Sequence, residues 1–105
     1  STKIELEKTY SGFISHKNDI DYYEFNIYVK GSYRLFVSGV NKITLNVLAA
    51  DQSGREIISS SSSRPGESVN LLNNFEKGTY QMKIFQTADD TANPNELYRL
   101  KISSE

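Results

Sequence analysis

The sequence predicts an all-β fold, an antiparallel β-sandwich of the jelly-roll kind with seven to eight short strands. Hydrophobic residues recur at every second position along much of the chain, which is the period of a strand with one buried face. Turn residues interrupt this alternation at short intervals, and no segment keeps a period of 3.6 residues long enough to indicate a helix. The 105 residues fit one domain, spanning residues 1–105.

The first half of the chain predicts up to four strands. An uncertain one covers residues 10–14, and the clearest covers residues 21–29, with Val29 on the same side as the other apolar residues. Residues 33–38 and 43–49 repeat the alternation, with short turns before each of them. Branched and aromatic side chains fill these segments, as is typical of strands.

The second half begins with a predicted hairpin turn at residues 51–54 (DQSG). Asp can accept a hydrogen bond from the backbone two residues on, and Gly supplies the positive φ that tight turns require. A short return strand over residues 55–58 and a polar loop over residues 59–66 follow. Three more strands are predicted over residues 69–71, 80–85 and 98–102, the last two separated by a polar loop.

The same alternation predicts which residues form the core, because a slip of one residue would expose every apolar side chain of a strand. The predicted core residues are Tyr23, Phe25, Ile27, Leu35, Val37, Leu45, Val47, Tyr80, Met82, Ile84, Leu100 and Ile102.

Composition excludes several classes of function. The net charge is −1 and the basic residues form no run along the sequence, which argues against a nucleic-acid partner. No apolar stretch reaches the roughly 18 residues of a membrane span. The absence of Cys excludes disulfides, thiolate metal sites and a Cys nucleophile. The first residues show neither a signal sequence nor an initiator Met, so we expect a processed product or an excised module.

Five segments in order resemble the bacterial pre-peptidase C-terminal domain family, which includes the collagen-binding modules of bacterial collagenases. The segments are residues 12–14 (GFI) with 19–25 (DIDYYEF), 30–35 (KGSYRL), 45–54 (LNVLAADQSG), 77–84 (KGTYQMKI) and 98–102 (YRLKI). The resemblance covers residues 12–102 and implies a secreted, non-catalytic domain attached to an enzyme or a surface protein. Some members of the family bind insoluble polymers, and others are removed after export.

The residues themselves predict no catalytic site. The single histidine, His16, lies in a polar loop, and the serines of residues 59–63 lack the strained turn of a nucleophile. The acidic residues occupy turns and outward strand positions, without the convergent pair that glycoside hydrolysis needs.

A candidate calcium site lies at the start of the clearest strand. Asn18, Asp19 and Asp21 place three oxygen-bearing side chains within four residues, and calcium prefers such ligands. The resemblance implies that this loop supplies part of a calcium site and an upstream segment the rest. Residues 3–8 (KIELEK) offer two Glu but no Asn-Asp pair there. The alternative is that all three are turn and strand-start residues. A second acidic cluster, within residues 89–95, is predicted to be an exposed loop.

A candidate ligand-binding surface consists of aromatic residues at positions opposite the core, with polar neighbours. Such residues can stack on sugar rings or contact a protein surface, although single outward aromatics also pack beneath loops. The candidates are Tyr22, Tyr28 and Phe36, together with Gln81, Lys83 and Phe85. In the collagen-binding relatives the strand equivalent to residues 80–85 carries several outward Tyr, and this sequence lacks most of them.

The sequence therefore predicts a secreted, non-catalytic accessory module that binds an extracellular polymer, either a glycan or a fibrous protein. Its other expected partner is a neighbouring catalytic domain in the parent chain. The alternative is a structural or processing domain that aids secretion or spaces a peptidase domain and has no ligand. A small autonomous enzyme is the third hypothesis, and the missing catalytic constellation argues against it.

Overall fold

The chain folds into two packed β-sheets in the computed structural model, which describes residues 2–13, 20–40, 43–61, 64, 66–86 and 97–105. Within these ranges there is no helix long and apolar enough to cross a membrane. The strands of the described part are β1 (Thr2–Lys3), β2 (Thr9–Gly12), β3 (Ile20–Ile27), β4 (Gly31–Val37), β5 (Leu45–Asp51), β6 (Glu56–Ser61), β7 (Val69–Phe75), β8 (Gly78–Gln86) and β9 (Tyr98–Ser104).

One sheet has five strands in the order β1-β3-β8-β5-β6, and the other has four in the order β2-β9-β4-β7. All pairs are antiparallel except β1 with β3, which is parallel. The central strand β8 pairs along most of its length with both β3 and β5. The all-β sandwich predicted from the alternation is confirmed. The described residues form nine strands, including two short ones, β1 with two residues and β2 with four.

The core lies between the sheets and includes all twelve residues that the alternation predicted. A cluster of aromatic side chains fills one end of the core, where the Phe25 and Tyr80 rings stack with centroids 5.7 Å apart. The Phe75 ring meets Tyr80 edge-on at 5.0 Å. Such pairs add about 0.5–1.5 kcal/mol each beyond their burial, so this cluster contributes to holding the two sheets together.

The predicted hairpin turn joins β5 to β6. Asp51 Oδ1 accepts hydrogen bonds from the Ser53 N–H and the Arg55 N–H, both at 3.0 Å, and from the Ser53 hydroxyl. Gly54 has a φ of 90°, which favours glycine because that region is strained for side chains. The Ser53 hydroxyl and the two amides lower the pKa of Asp51, because they stabilise its charged form.

The clearest strand ends earlier than the sequence predicts. Ile27 pairs with Gly78, the first residue of β8, so the ladder has no partner strand beyond that point. Tyr28 and Val29 are consequently 69% and 70% exposed. The prediction that places Val29 on the core-facing side of the strand is wrong.

The polar loop predicted from residue 59 onward begins later than expected. Residues Ser59, Ser60 and Ser61 belong to β6 and pair with Leu48, Val47 and Asn46 of β5. Serine is not among the residues that favour strands. The backbone of β5 nevertheless supplies hydrogen-bond partners to the backbone of these residues, whatever their side chains. An edge strand such as β6 also tolerates polar side chains on both sides.

Candidate functional site

Four of the predicted ligand-binding residues lie together on the outer surface of the five-stranded sheet. In the register of β3 with β8, Tyr22 is opposite Lys83 and Ile20 is opposite Phe85. Gln81 is the next outward residue of β8. We call the surface formed by Ile20, Tyr22, Gln81, Lys83 and Phe85 the Tyr22 face.

The Tyr22 face combines apolar surface with hydrogen-bonding groups. Tyr22 is 38% exposed and Ile20 is 42% exposed, and Phe85 is half-buried. The Lys83 ammonium lies 5.6 Å from the centroid of the Tyr22 ring. This cation–π contact is worth about 0.5–1 kcal/mol at an exposed site and restricts the orientation of both side chains. The surface can therefore present a partly ordered ring to a ligand.

A polar hollow of about 190 Å³ continues from one end of this face. Glu24 and Gln81, which are opposite each other on β3 and β8, line it together with Thr79 and the β5–β6 turn. The side-chain amide of Gln81 and the Glu24 carboxylate provide donors and acceptors beside the apolar part. A ligand with both flat apolar patches and hydroxyl or amide groups suits this arrangement.

The other two aromatic candidates lie elsewhere. Phe36 is on the outer surface of the four-stranded sheet, where it is opposite Lys101 and Asn70. Tyr28 follows the end of β3 and lines a groove of about 390 Å³ beside Ile4 and Leu6. Alternation along single strands cannot distinguish these locations, because it does not say which strands share a sheet.

Asp21 occupies an inward position near the start of β3, where it contacts the other sheet. The Tyr98 hydroxyl of β9 donates a hydrogen bond to Asp21 Oδ2, and the Tyr98 and Tyr23 hydroxyls are hydrogen-bonded to each other. Burial raises the pKa of Tyr98, and the hydrogen bond to Asp21 raises it further. Burial also raises the pKa of Tyr23. Asp21 therefore links the two sheets through a buried pair of neutral phenols.

The described residues bring together no cluster of carboxylates for a calcium site. Asn18 and Asp19 lie outside the described residues, as do His16 and the second acidic cluster. No three His, Cys, Asp or Glu side chains come together in the part of the chain that the structure describes. Of the upstream carboxylates, Glu5 pairs with Lys8, and Glu7 Oε2 accepts the Ser104 N–H at 2.7 Å. Of the three candidate ligands Asn18, Asp19 and Asp21, Asp21 is the one that the structure describes.

We expect any calcium dependence to be weak. A cation that binds only the folded state raises the melting temperature by mass action, and a weak site filled at millimolar calcium gives about 1 kcal/mol or less. The measurement is the melting temperature in calcium and in chelator, for the parent chain and for Asp21→Asn. The substitution keeps an acceptor for Tyr98, and it should reduce the calcium shift. Identical melting curves of the parent chain in both conditions would exclude the site.

Sequence reasoning missed two features of these sites. Ile20 extends the Tyr22 face by one residue, and its signal was an apolar residue two positions before Tyr22. The contact between Asp21 and Tyr98 joins residues 77 positions apart in the chain, and no local pattern indicates it.

Comparison with solved structures identifies similar folds at low sequence identity. The pre-peptidase C-terminal domain of a collagenase from Bacillus anthracis matches with a TM-score of 0.77 and 16% identity, over 96% of this chain and 92% of that one. A mitogen from Yersinia pseudotuberculosis matches with a TM-score of 0.58 and 17% identity, over 93% of this chain and 85% of that one.

A third similar structure is a periplasmic inhibitor of g-type lysozyme from Salmonella Typhimurium. It matches with a TM-score of 0.56 and 20% identity, over 100% of this chain and 99% of that one. No protein-family model and no curated protein sequence matches the chain. The first comparison agrees with the resemblance drawn from the sequence segments, and the chain has the fold of a pre-peptidase C-terminal domain.

Proposed function

We propose that the chain is a non-catalytic accessory module of a secreted protein and binds an extracellular polymer through the Tyr22 face. The polymer is a glycan or a fibrous protein, and the parent chain carries the catalytic domain. The observation that carries this proposal is the register of β3 with β8, which places Tyr22, Lys83, Gln81 and Phe85 on one exposed surface.

The shape of the Tyr22 face favours an extended ligand over a small molecule. The face is the outer surface of neighbouring strands, and the hollow at its end is only about 190 Å³. Small-molecule sites are usually deeper, at about 300–1,000 Å³. A polymer can instead lie across the strands, contacting Tyr22 and Phe85 with its apolar parts and Gln81 and Lys83 with its polar groups.

The comparisons support the accessory role. The structure with the highest TM-score reported above is a domain of a collagenase, and this chain covers 92% of that domain. A domain of this fold can therefore be carried by a degradative enzyme, and a second domain that keeps the enzyme on its insoluble substrate raises the effective substrate concentration. A module that binds an extracellular polymer requires a secreted parent chain, so secretion is part of this proposal.

We expect Phe85→Ala to weaken binding by about 1–3 kcal/mol, because anchor aromatics dominate the energy of such surfaces. Binding is measured by retention of the purified domain on insoluble collagen, elastin, cellulose and chitin, with affinity corrected for the folded fraction. Val29→Ala is the matched control, because Val29 is an exposed apolar residue away from the Tyr22 face. It should leave retention unchanged.

Two results would contradict the proposal. If none of the four polymers retains the parent domain, the alternative of a spacing or processing domain is favoured. If Phe85→Ala lowers the free energy of unfolding but leaves affinity unchanged, Phe85 packs against the rest of the domain and is not a ligand anchor.

A further inference from the structure

The outer surface of the four-stranded sheet collects three cationic side chains around an aromatic ring. Arg34 and Phe36 are outward residues of β4, and Arg99 and Lys101 are outward residues of β9, each alternating with buried neighbours. We call this surface, formed by Arg34, Phe36, Arg99 and Lys101, the basic face. It lies on the opposite side of the sandwich from the Tyr22 face.

The register of β4 with β9 determines the spacing within the basic face. Phe36 is directly opposite Lys101, which places their Cβ atoms about 5 Å apart. Arg34 and Arg99 are each two residues away on the same side of their strands, about 7 Å along the strand direction. All four side chains are therefore within reach of one extended ligand.

Two of the cations have no anionic partner among the residues that the structure describes. Arg34 is ion-paired with Glu105, and it also donates a hydrogen bond to Asn70 Oδ1 at 2.8 Å. Neither the Arg99 guanidinium nor the Lys101 ammonium forms an ion pair with any carboxylate of the described residues. The positive charges of Arg99 and Lys101 are therefore not neutralised by a carboxylate of the described residues. A surface of this kind attracts anions.

The groups around the basic face are hydroxyls and an amide, together with one exposed apolar side chain, Leu72, opposite Arg34. Thr9 is opposite Lys101, Ser103 is opposite Arg34, and Asn70 is opposite Phe36. The Ser38 hydroxyl accepts a hydrogen bond from the Arg99 N–H at 2.7 Å. Short polar side chains such as these can exchange hydrogen bonds with ligand hydroxyls without blocking access to the aromatic ring.

We propose that the basic face binds an acidic polysaccharide, a chain of sugar rings that carry carboxylate or sulfate groups. Phe36 provides an apolar surface for the face of a sugar ring. Arg99 and Lys101 provide charge-assisted hydrogen bonds to its anionic groups, and the surrounding hydroxyls suit its remaining hydroxyl groups. This second site is independent of the proposed ligand of the Tyr22 face.

A nucleic acid fits the same surface less well. Proteins that bind duplexes through charge contact about 6–10 phosphates, whereas the basic face has three cations and one of them already contacts Glu105. Stacking of bases on single strands also uses several aromatic side chains in succession. Phe36 is the only aromatic residue on the outward side of β4 and β9.

The test measures binding of heparin and polygalacturonate by the purified domain at low salt, with dextran as the neutral glycan and a single-stranded oligonucleotide as the other polyanion. We expect the two acidic glycans to bind more tightly than dextran and the oligonucleotide, with affinity falling as salt increases. Arg99→Gln with Lys101→Gln should reduce binding by at least about tenfold, because the variant removes two charged hydrogen-bond donors, and tenfold corresponds to only about 1.4 kcal/mol.

The matched control is Arg55→Gln with Lys77→Gln, which removes the same charge from exposed positions outside both faces. Its binding should fall by less than about twofold when the two double variants are compared at about 0.1 M ionic strength, where exposed charges more than about 10 Å apart are largely screened. The proposal is overturned if neither acidic glycan binds, if dextran binds as tightly, or if the two double variants lose the same affinity. Tighter binding of the oligonucleotide than of both acidic glycans would replace it with a nucleic-acid site.

Discussion

Replacing Ile84 or Leu45 with alanine should lower the free energy of unfolding by about 2–5 kcal/mol each. Both side chains are completely buried between the sheets, on the adjacent strands β8 and β5. Each substitution loses the free energy gained when the removed carbons leave water on folding. It also leaves a cavity, because the surrounding strands relax only partly to fill it. The measurement is equilibrium unfolding in urea, which also reports the surface exposed on unfolding through its slope.

Leu72→Ala is the control for both substitutions. Leu72 is also in a strand, β7, but its side chain is 53% exposed on the outer surface. Exposed substitutions usually change stability by about 0.5 kcal/mol or less. A change below about 1 kcal/mol for both Ile84→Ala and Leu45→Ala would mean that the inward and outward sides of these strands are reversed.

The core could be predicted from the sequence because the side chains of any strand alternate between its two sides, independently of the rest of the fold. Successive side chains of β8 point to opposite sides of the sheet, so Tyr80, Met82 and Ile84 had to share a side. One buried side requires apolar residues at those positions. The hairpin turn could be predicted equally well, because the Asp51 hydrogen bonds that form it span at most four residues.

Strand ends and long-range pairing could not be predicted in the same way. The end of β3 depends on where β8 begins, more than fifty positions later. Assignment of Ser59 to a strand depends on its pairing with Leu48, not on its own side chain. These features are set by hydrogen bonds between backbones, which local composition reports only indirectly.

The candidate sites show the same division. Alternation predicted that Tyr22 and Phe85 point outward. That they lie close together on one surface depends on the register of β3 with β8, which alternation does not give. The basic face was missed because Arg34 and Arg99 are far apart in the sequence. The only local signal was the outward cations themselves, Arg34 in β4 and Arg99 with Lys101 in β9.

Gly12→Ala should destabilise the fold by about 3 kcal/mol, although it adds a single methyl group. A Cβ atom at Gly12 would lie 2.4 Å from Tyr98 Oη, 2.6 Å from Tyr98 Cζ and 2.7 Å from Tyr23 Oη. These distances are far shorter than van der Waals contact. Neither phenol can turn away freely, because Tyr98 is completely buried and is hydrogen-bonded to both Tyr23 and Asp21.

The expected magnitude combines two effects. Overpacking a core commonly costs about 1–3 kcal/mol, and displacing the Tyr98 hydroxyl weakens two hydrogen bonds worth about 1 kcal/mol each. Gly31→Ala is the matched control, because Gly31 is also in a strand and the nearest atom to its added Cβ would be 3.9 Å away. It should change the free energy of unfolding by less than about 0.5 kcal/mol.

The comparison of the two glycine variants tests whether the two sheets are locked together at this point. β2 and β9 belong to one sheet and β3 to the other, so the hydroxyl pair of Tyr98 and Tyr23 with Asp21 bridges the sandwich beside Gly12. If Gly12→Ala is no more destabilising than Gly31→Ala, the phenols move apart at little cost and the bridge is loose. If it is strongly destabilising, Gly12 is required because only a residue without a side chain lets β2 approach the bridge so closely.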